Sequence, residues 1–438
     1  MKPSPLIFVQ LNEVNCDLVA RYVEKHDLPA FKTLLQTYKG FNTFGEEKYA
    51  ELEPWIQWVS AQTGKTYAEH GVFRLGDVVN SPDSLVQIFE ALEARGLKVG
   101  AISPMNARNR LQRPAYFVPD PWTDTPCDGS GFSRRLTSML RQTVNDNAKS
   151  SVAWQSYVTI GEAGLRTLHW RRTPDLLATI AATRKRPWLK SLVMDKLVHM
   201  VHLHAWRMKR PDVSFVFMNA GAHIQHHYFL NAELGPDVVA KNPAWYVAPE
   251  ADPVHDMLQA YDRILGDYLA LAAKGARLIV ATGLTQVPYD RVKYYYRLKD
   301  HAQFLSQAGV KFARVLPRMT RDFEIIFDTA PAAAHGAEAL AQMTLERTGV
   351  PLFGEIEVRG LSIFASLTYP DEIRASDVAL QGAQRIEGFG QAVAFVAIKN
   401  GMHSTRGFAF VSPNTPATVP ATPVHVAALY DLTLQAAS

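Results

Sequence analysis

Cysteine is scarce in this chain of 438 residues, which contains two, Cys16 and Cys127. Two cysteines exclude a disulfide scaffold and a four-cysteine zinc site, and they favour a reducing compartment. Apolar runs are also short: none approaches the ~18 residues of a membrane-spanning helix, and the N-terminal run is too short for a signal peptide. The composition is that of an ordinary globular protein, with 47% apolar and 20% charged residues, so we expect a soluble, cytoplasmic protein.

Charge is unevenly distributed along the chain, although the net value is only +4. Residues 163–210 contain eleven basic and two acidic residues, a local charge of +9, which leaves −5 for the remainder. This concentration favours a local anionic partner. With Trp170, Trp188 and Trp206 it also raises the alternative of peripheral contact with an anionic membrane, although a solvated basic face with core tryptophans is the simpler interpretation. No nucleic-acid-binding signature is present, so we expect no nucleic-acid partner.

Five short apolar runs are typical of buried strands, and four of them lie near segments with a helical pattern. We predict parallel strands at Leu6–Leu11, Leu97–Ser103, Val213–Asn219, Ala276–Thr282 and Gly407–Val411. Alternation of strands and helices predicts an α/β fold, with a doubly wound sheet and helices on both faces. In such sheets ligands bind beyond the carboxyl ends of the strands, so the residues that follow each run are the candidates for chemistry.

Two segments interrupt this alternation, and we interpret both as insertions. Residues 129–210 are mostly helical in pattern and carry the basic cluster, whereas residues 288–390 mix helical and strand-like runs. The predicted core therefore consists of residues 1–128, 211–287 and 391–438.

Histidines and carboxylates follow several of the predicted strands. His223, His226 and His227 come directly after the third strand, and neutral imidazole is a common metal ligand. The alternative is a loop of hydrogen-bonded histidines. Glu13 follows the first strand, where a carboxylate can bind metal or act as a general acid or base.

A second histidine group has a different character. His199, His202 and His204 lie in a helical stretch among apolar residues. Because His199 and His202 are three residues apart, they share one face of that helix. We interpret them as partly buried structural histidines.

Five stretches occur in an order typical of one family: Leu6–Val19 with Leu28–Leu35, Trp58–Gly64 with Glu69–Phe73, Phe215–His227, Tyr261–Gly266, and Gly401–Gly407. In this order the chain resembles the alkaline phosphatase superfamily, in particular its phosphodiesterase and nucleotide-pyrophosphatase branch. The resemblance implies an α/β core, a phosphate-bearing substrate and a site for two metal ions. It does not cover the two insertions.

Several ligand positions of that family are replaced in this sequence. Asn12 stands where the resemblance places the first Asp, Pro54 where it places the Thr or Ser nucleophile, and Ala222 where it places the Asp of a later turn. His226 and His403 remain as metal ligands implied by the resemblance. Because two close divalent ions need several carboxylates to offset their repulsion, we do not expect an ordinary binuclear site.

Polar side chains nevertheless remain at the strand ends, which predicts a working site with altered chemistry. We predict Glu13, Glu53 and His223 as catalytic residues, Asn12, Gln57 and Gln286 as substrate-binding residues, and His226 and His403 as metal ligands. The histidines would hold one divalent metal (zinc, manganese or iron), with Glu13 or Glu53 as a further ligand and His223 as an optional one. The alternative is acid–base catalysis without metal.

The expected function is hydrolysis or group transfer on a phosphate-bearing substrate. A phosphodiester, a nucleotide sugar and a lipid-linked phosphate are the candidates, and the arginines of the basic segment suit a diphosphate. The alternative is a non-catalytic protein that binds a phosphorylated ligand or a protein partner.

Overall fold

The computed structural model of the chain describes residues 4–147, 167, 169–235, 240–318 and 321–438. The chain divides into two compact units: residues 1–238, 243–288 and 401–438 form the first, and residues 239–242 and 289–400 form the second. Part of the predicted basic insertion, with Arg166, lies outside the described residues. The rest of residues 129–210 groups with the first unit, and the boundaries of both insertions stay predictions.

The elements are numbered here in chain order. The strands are β1 Leu6–Leu11, β2 Lys39–Phe44, β3 Val99–Ile102, β4 Tyr116–Val118, β5 Val213–Met218, β6 Arg277–Ala281, β7 Thr285–Leu298, β8 Arg314–Pro317, β9 Asp322–Ile326, β10 Met343–Leu345, β11 Phe353–Arg359, β12 Ser362–Leu367, β13 Ala379–Gln381, β14 Gln384–Ile386, β15 Val393–Ser404, β16 Arg406–Val411 and β17 Val424–His425. The helices are α1 Cys16–Lys25, α2 Pro29–Thr37, α3 Pro54–Thr63, α4 Tyr67–His70, α5 Ile88–Ala94, α6 Gly131–Asn147, α7 Arg172–Ala182, α8 Leu189–Lys209, α9 Ala220–Tyr228, α10 Pro253–Ala272, α11 His301–Gln307, α12 Ala330–Ala341, α13 Phe389–Ala392 and α14 Ala428–Ala436.

An eight-stranded mixed sheet forms the centre of the first unit, in the order β17-β2-β16-β6-β1-β5-β3-β4. Strands β6, β1, β5, β3 and β4 run parallel to one another. Their carboxyl ends therefore lie at one edge of the sheet, where the chain turns away after each strand. The α/β fold expected from the sequence is confirmed.

The last of the five predicted strands runs against the expected direction. Gly407–Val411 is predicted to be parallel, but β16 is antiparallel to both β6 and β2. The chain leaves β6 at its carboxyl end and returns at the same edge, where Thr285 Oγ1 donates a hydrogen bond to Arg406 O (2.8 Å). A strand that begins at this edge can only run back along β6, so the predicted direction is wrong.

Both faces of the large sheet are covered by helices, as predicted. In β1, Ile7, Val9 and Leu11 belong to one apolar cluster, whereas Leu6 and Phe8 belong to another. This alternation follows the two-residue period of a strand. Helix α10 packs in the first cluster, and α3 and α14 pack in the second. Each large apolar side chain buried in this way contributes about 1.5–3 kcal/mol to folding.

The second unit has an apolar core of its own. Its larger sheet has four antiparallel strands in the order β11-β12-β9-β8, and its smaller sheet has three in the order β10-β13-β14. Helix α12 packs against β11 and β12. A hydrophobic core therefore lies between a helix and a sheet here, as in other small α+β units.

Candidate metal centre

The turn after β1 is fixed by both neighbouring strands. The Asn12 N–H donates to Met218 O at the end of β5 (3.0 Å), and the Glu13 N–H donates to Thr282 O just beyond β6 (3.0 Å). Glu13 has a left-handed φ of 62°, a conformation that costs a non-glycine residue on the order of 1 kcal/mol or more and recurs at functional sites. The turn places Glu13 at the carboxyl edge of the sheet, with the residue only 2% exposed.

Two histidines from distant parts of the chain meet this carboxylate. His226 lies on helix α9, not in a loop, and His403 lies near the end of β15. Both Nε2 atoms lie 3.2 Å from Glu13 Oε2, and they lie 3.2 Å from each other. Among the described residues, this trio (Glu13, His226 and His403) is the one group of three or more His, Cys, Asp or Glu with ligand atoms all within 4.8 Å of one another.

The other ring nitrogen of each histidine faces an oxygen. His226 Nδ1 lies 3.0 Å from Gly401 O, and since a carbonyl oxygen can only accept, Nδ1 carries the proton. His403 Nδ1 lies 3.5 Å from Glu53 Oε2, which favours the same tautomer. In the neutral rings both Nε2 atoms then present lone pairs to Glu13. Histidine ligands of metals are usually oriented in this way, by an oxygen that accepts a hydrogen bond from the ring nitrogen that does not bind the metal.

The Glu13 carboxylate is also held by two amides. Asn12 Nδ2 donates to Oε1 (2.9 Å), and Gln286 Nε2 donates to Oε2. Burial by itself would raise the pKa of Glu13, but the charges and hydrogen bonds of His403 and His226 lower it, and the balance holds this pKa well below its usual range. Glu13 is therefore ionised at neutral pH.

The spacing within the trio fits one metal ion. A carboxylate oxygen and two imidazole lone pairs at this distance repel one another unless a proton or a cation lies among them. In a regular tetrahedron the centre lies about 0.61 of an edge from each corner. An edge of 3.2 Å therefore corresponds to bonds of about 2.0 Å, the length of zinc bonds to imidazole and carboxylate. Two histidines and one glutamate also form the protein ligands of known catalytic zinc sites.

Three further residues predicted from the sequence contact the trio: Asn12, Gln286 and Glu53. Gln286 Nε2 also donates to Ala222 O (3.0 Å) and so joins Glu13 to helix α9. Its Oε1 is buried without a hydrogen-bond partner, and a Cβ at position 401 would come within 2.1 Å of it. Gly401 therefore leaves the space that this amide needs.

Two other predicted site residues, Gln57 and His223, are not members of the trio. Gln57 is fully buried, and its amide bonds Glu51 O (3.0 Å) and the Glu46 N–H (3.4 Å). His223 is exposed on α9, with its ring centroid 4.7 Å from that of His227. Their predicted roles in substrate binding and catalysis stay predictions.

Four residues that are not among the predicted site residues also support the site: Asn15, Trp58, Asn219 and Gln225. Gln225 Nε2 donates to Glu13 O (2.8 Å), and Gln225 Oε1 accepts from the Asn15 N–H (3.1 Å). Trp58 Nε1 donates to Asn12 Oδ1 (2.7 Å), while Asn12 Nδ2 donates to Asn219 Oδ1 (2.8 Å). Position after a strand was the available signal for Asn15 and Asn219. No sequence pattern pairs a buried amide with its acceptor.

A serine and a histidine lie close together in α3 and α4, but they do not form a nucleophile–base pair. Ser60 Oγ lies 3.1 Å from His70 Nε2. His70 Nδ1 accepts a hydrogen bond from the Val72 N–H (3.0 Å), so in the neutral ring the proton is on Nε2. Burial lowers the pKa of His70 to about 4, which keeps the ring neutral. Nε2 therefore donates to Ser60 and cannot remove its proton.

Comparison with known proteins finds no matching family model and no curated protein that matches in sequence. Solved structures do match. The phosphonoacetate hydrolase of Sinorhizobium meliloti 1021, in complex with phosphonoformate, is 14% identical with a TM-score of 0.42, over 100% of this chain and 96% of that chain. Human ectonucleotide pyrophosphatase/phosphodiesterase 5 is 11% identical with a TM-score of 0.43, over 99% and 94%. The alkaline phosphatase PafA is 11% identical with a TM-score of 0.45, over 98% and 94%.

The second and third of these proteins carry the names of the family and branch that the sequence resembles, nucleotide pyrophosphatase/phosphodiesterase and alkaline phosphatase. Each of the three matches spans at least 98% of this chain. Because every one of these TM-scores lies below 0.5, the likeness assigns no activity, substrate or metal to this chain.

Proposed function

We propose that this protein is a hydrolase that binds one zinc ion at Glu13, His226 and His403 and acts on a phosphate-bearing substrate. The observation that carries the proposal is the trio itself, three acceptor atoms 3.2 Å apart. The oxygens behind the two imidazoles support it further. A bound zinc ion would lower the pKa of a coordinated water toward neutrality and polarise a phosphoryl oxygen.

In this proposal the surrounding residues orient the ligands. Glu13 serves as a metal ligand, in place of the acid–base role expected from the sequence. Asn12 and Gln286 fix its carboxylate, and Glu53 fixes the ring of His403. Each of these contacts restricts a ligand side chain to fewer conformations. Less conformational entropy is therefore lost when the metal binds.

Water is the proposed nucleophile. No Thr or Ser lies between Lys48 and Val59, where the resemblance places that group, and the His70 tautomer prevents activation of Ser60. A single metal with a water nucleophile favours hydrolysis over group transfer. Group transfer stays a prediction.

A phosphate-bearing substrate is proposed from the order of motifs that the sequence shares with the alkaline phosphatase superfamily. The choice among a phosphodiester, a nucleotide sugar and a lipid-linked phosphate stays a prediction, and so does a cytoplasmic location. The same donor set, two histidines and one carboxylate, also holds iron in other proteins. Zinc is proposed here from the tetrahedral fit of the 3.2 Å spacing, and manganese and iron stay predictions.

The described part of the basic segment carries one exposed tryptophan. Trp170 is 73% exposed and lies under the Arg171 guanidinium, 4.2 Å from its carbon. Trp188 is buried in the first apolar cluster of the large sheet, and Trp206 is partly buried against that cluster. None of the described helices is both long and apolar enough to cross a membrane. We propose a solvated basic face, while peripheral contact with anionic lipid stays a prediction.

The test is the metal content of the purified chain, measured by elemental mass spectrometry. We compare the wild type with His226→Ala, His403→Ala and a control, His335→Ala, which removes an exposed histidine on α12. We expect about one equivalent of zinc in the wild type and the control, and less than about a tenth of that in the trio variants. Two equivalents would instead indicate a binuclear site, and no uptake on incubation with zinc would contradict the proposal.

Activity is measured on the same four proteins with bis(4-nitrophenyl) phosphate, a chromogenic phosphodiester. Turnover in the wild type and in His335→Ala, with none in the trio variants, is the expected result. Zinc bound at the trio without turnover of this or other phosphate esters would favour the alternative, a protein that binds a phosphorylated ligand.

A further inference from the structure

A groove at the edge of the first unit has the composition of an anion-binding site. It has a volume of about 770 Å³ and lies between the loop Asp124–Cys127 and helix α6. The helix lines it with Arg134, Thr137, Ser138 and Arg141. Because these positions are spaced by three and four residues, they share one face of the helix. The volume is that of a pocket for a small organic ligand.

Two side chains of the groove lack a partner within the described residues. Thr137 is 8% exposed, and its hydroxyl has no hydrogen-bond partner. Arg134 is exposed, and no described carboxylate lies within ion-pair distance of its guanidinium. Buried hydroxyls are normally paired in native proteins, so an unpaired one that lines a groove indicates a ligand or water that binds there.

Arg141 is positioned by the protein, and part of its guanidinium is left for a ligand. Its Nη2 donates to Thr123 O (2.9 Å) and lies 3.2 Å from Asp124 Oδ1. The Asp124 side chain is 94% exposed, and an ion pair so exposed to water is weak. A phosphate can therefore compete with Asp124 for the remaining N–H groups, and guanidinium binds phosphate with two parallel hydrogen bonds.

The remaining lining indicates the kind of molecule that carries the phosphate. Thr125, Ser138 and Gln142 add hydroxyl and amide groups to the lining. Such side chains suit the hydroxyl groups of a sugar.

The topology separates this groove from the trio. The loop Asp124–Cys127 follows β4, which lies three strands from β1 in the sheet. At about 4.8 Å per strand, the two loops lie about 14 Å apart along the edge of the sheet. We propose that the groove is a second binding site, for a sugar phosphate. The phosphate binds between Arg134 and Arg141 and accepts a hydrogen bond from Thr137.

The test measures binding of glucose 6-phosphate to the full chain by isothermal titration calorimetry, after chelator treatment to remove metal from the trio. Glucose and AMP serve as comparison ligands. We expect binding of glucose 6-phosphate, no binding of glucose and weaker binding of AMP. Arg134→Gln should weaken the binding about 10-fold or more, because a charge-assisted hydrogen bond is lost.

The matched control is Arg135→Gln, which makes the same change of charge one residue along α6, on another face. We expect it to change the affinity less than about 2-fold. Thr137→Val should weaken binding and raise the melting temperature of the ligand-free protein, since it removes a buried unpaired hydroxyl. Equal affinity in the two arginine variants, AMP binding as tight as that of the sugar phosphate, or no binding to the wild type would each overturn the proposal.

Discussion

Two groups of histidines lie in the first unit, and they differ in what faces their ring nitrogens. In the trio, the Nε2 atoms of His226 and His403 face each other and Glu13 at 3.2 Å. All three atoms are acceptors when the rings are neutral. With both rings neutral, this close approach is favourable only when a cation lies among the three atoms. Protonated rings, whose charges and hydrogen bonds lower the pKa of Glu13, are the alternative.

The second group is complete in itself. His199 Nε2 lies 2.9 Å from Asp267 Oδ2, and its Nδ1 lies 3.1 Å from the Tyr268 hydroxyl. His202 Nδ1 lies 2.9 Å from the same hydroxyl, and its Nε2 lies 2.6 Å from Ser214 Oγ. The Asp267 carboxylate accepts from the N–H at His199 Nε2, and the hydroxyls of Tyr268 and Ser214 can each donate or accept, so every ring nitrogen has a matching partner. Both histidines are at most 3% exposed, fully buried where the sequence predicts partial burial.

The trio and the buried histidine network differ in the numbers of hydrogen-bond donors and acceptors that surround their ring nitrogens. A buried group with a matched set stabilises the fold and needs no ligand, whereas a group with acceptors alone needs a cation. Spacing along the chain does not reveal this difference. Histidines recur at intervals of three or four residues both in α8, which carries His199 and His202, and in α9, which carries His223, His226 and His227. We expect variants of the trio to change metal binding and variants of the buried network to change stability.

The largest effect is expected for Glu13→Gln. The change removes the charge that holds the metal and turns an amide toward the two Nε2 lone pairs, which makes the trio resemble the buried network. We expect loss of zinc and a fall in turnover of about 10³-fold, as several kcal/mol of charge stabilisation are lost. Elemental mass spectrometry and phosphodiesterase assays measure both. His202→Gln is the comparison variant, and a similar loss there would remove the distinction between the groups.

A smaller effect is expected for His202→Ala, this time on stability. The change leaves a cavity and removes a hydrogen-bond partner of Tyr268 and Ser214, which should lower the free energy of unfolding by about 2–4 kcal/mol. Urea unfolding of the chelator-treated protein measures it, and zinc content should stay at about one equivalent. His226→Ala is the control, since a partly exposed histidine should cost much less in the metal-free protein. The reverse order of stabilities would contradict the assignment.

The buried network should also make the fold sensitive to acid. Burial lowers the pKa of His202 to about 3, whereas the unfolded chain has the ordinary value of about 6.5. The unfolded state therefore binds the proton first, so this contribution to stability is complete above about pH 6.5 and is lost as the pH falls toward 3. Between pH 6 and pH 5 the free energy of unfolding should fall by about 1 kcal/mol because of His202.

The comparison of wild type with His202→Gln isolates this titration. Asp195, whose pKa burial raises to about 6, titrates in the same range with the opposite sign, because the folded state binds its proton more tightly. That term is common to both proteins and cancels in the difference. Parallel pH profiles of the two unfolding free energies would show that His202 does not contribute.

A smaller effect on metal binding than that of Glu13→Gln is expected for Glu53→Ala, which removes the oxygen behind the His403 ring but leaves the trio intact. Loss of such an outer contact lowers metal affinity by about 10–100-fold. Competition with a chromogenic chelator measures the affinity, and Glu51→Ala is the matched control because Glu51 pairs with Lys48 instead. Unchanged zinc affinity with lost turnover would assign Glu53 the catalytic role predicted from the sequence.

Position after a strand allowed several residues that the structure brings together in the candidate site to be predicted from the sequence. Glu13 and His226 follow strands that an apolar run of five or six residues makes recognisable, and Asn12 and Gln286 lie at the same edge. Which carboxylate completes the trio was left open, because the choice depends on the left-handed φ at Glu13. A single backbone angle of this kind has no pattern in the sequence.

Side-chain direction near α3 and the direction of β16 were beyond sequence reasoning for two different reasons. Glu53 and Gln57 are four residues apart, but Glu53 is the N-cap of α3 and lies outside its regular turns. The two side chains therefore do not share a face.

An apolar run has the same pattern in a parallel and an antiparallel strand, so only the point at which the chain re-enters the sheet decides the direction of β16.

The positions of the three ligands in the chain also determine when the site can form during synthesis. His226 and His403 are 177 positions apart, and Glu13 precedes both. At about 5–20 residues per second, a ribosome makes Glu13 about 20–80 s before His403. The nascent chain therefore cannot bind metal with its full ligand set until His403 has left the ribosome exit tunnel. Zinc would be acquired only after β15, the strand that carries His403, has been synthesised. A loaded site would mark a chain in which His226 and His403 have already met Glu13 at the turn after β1.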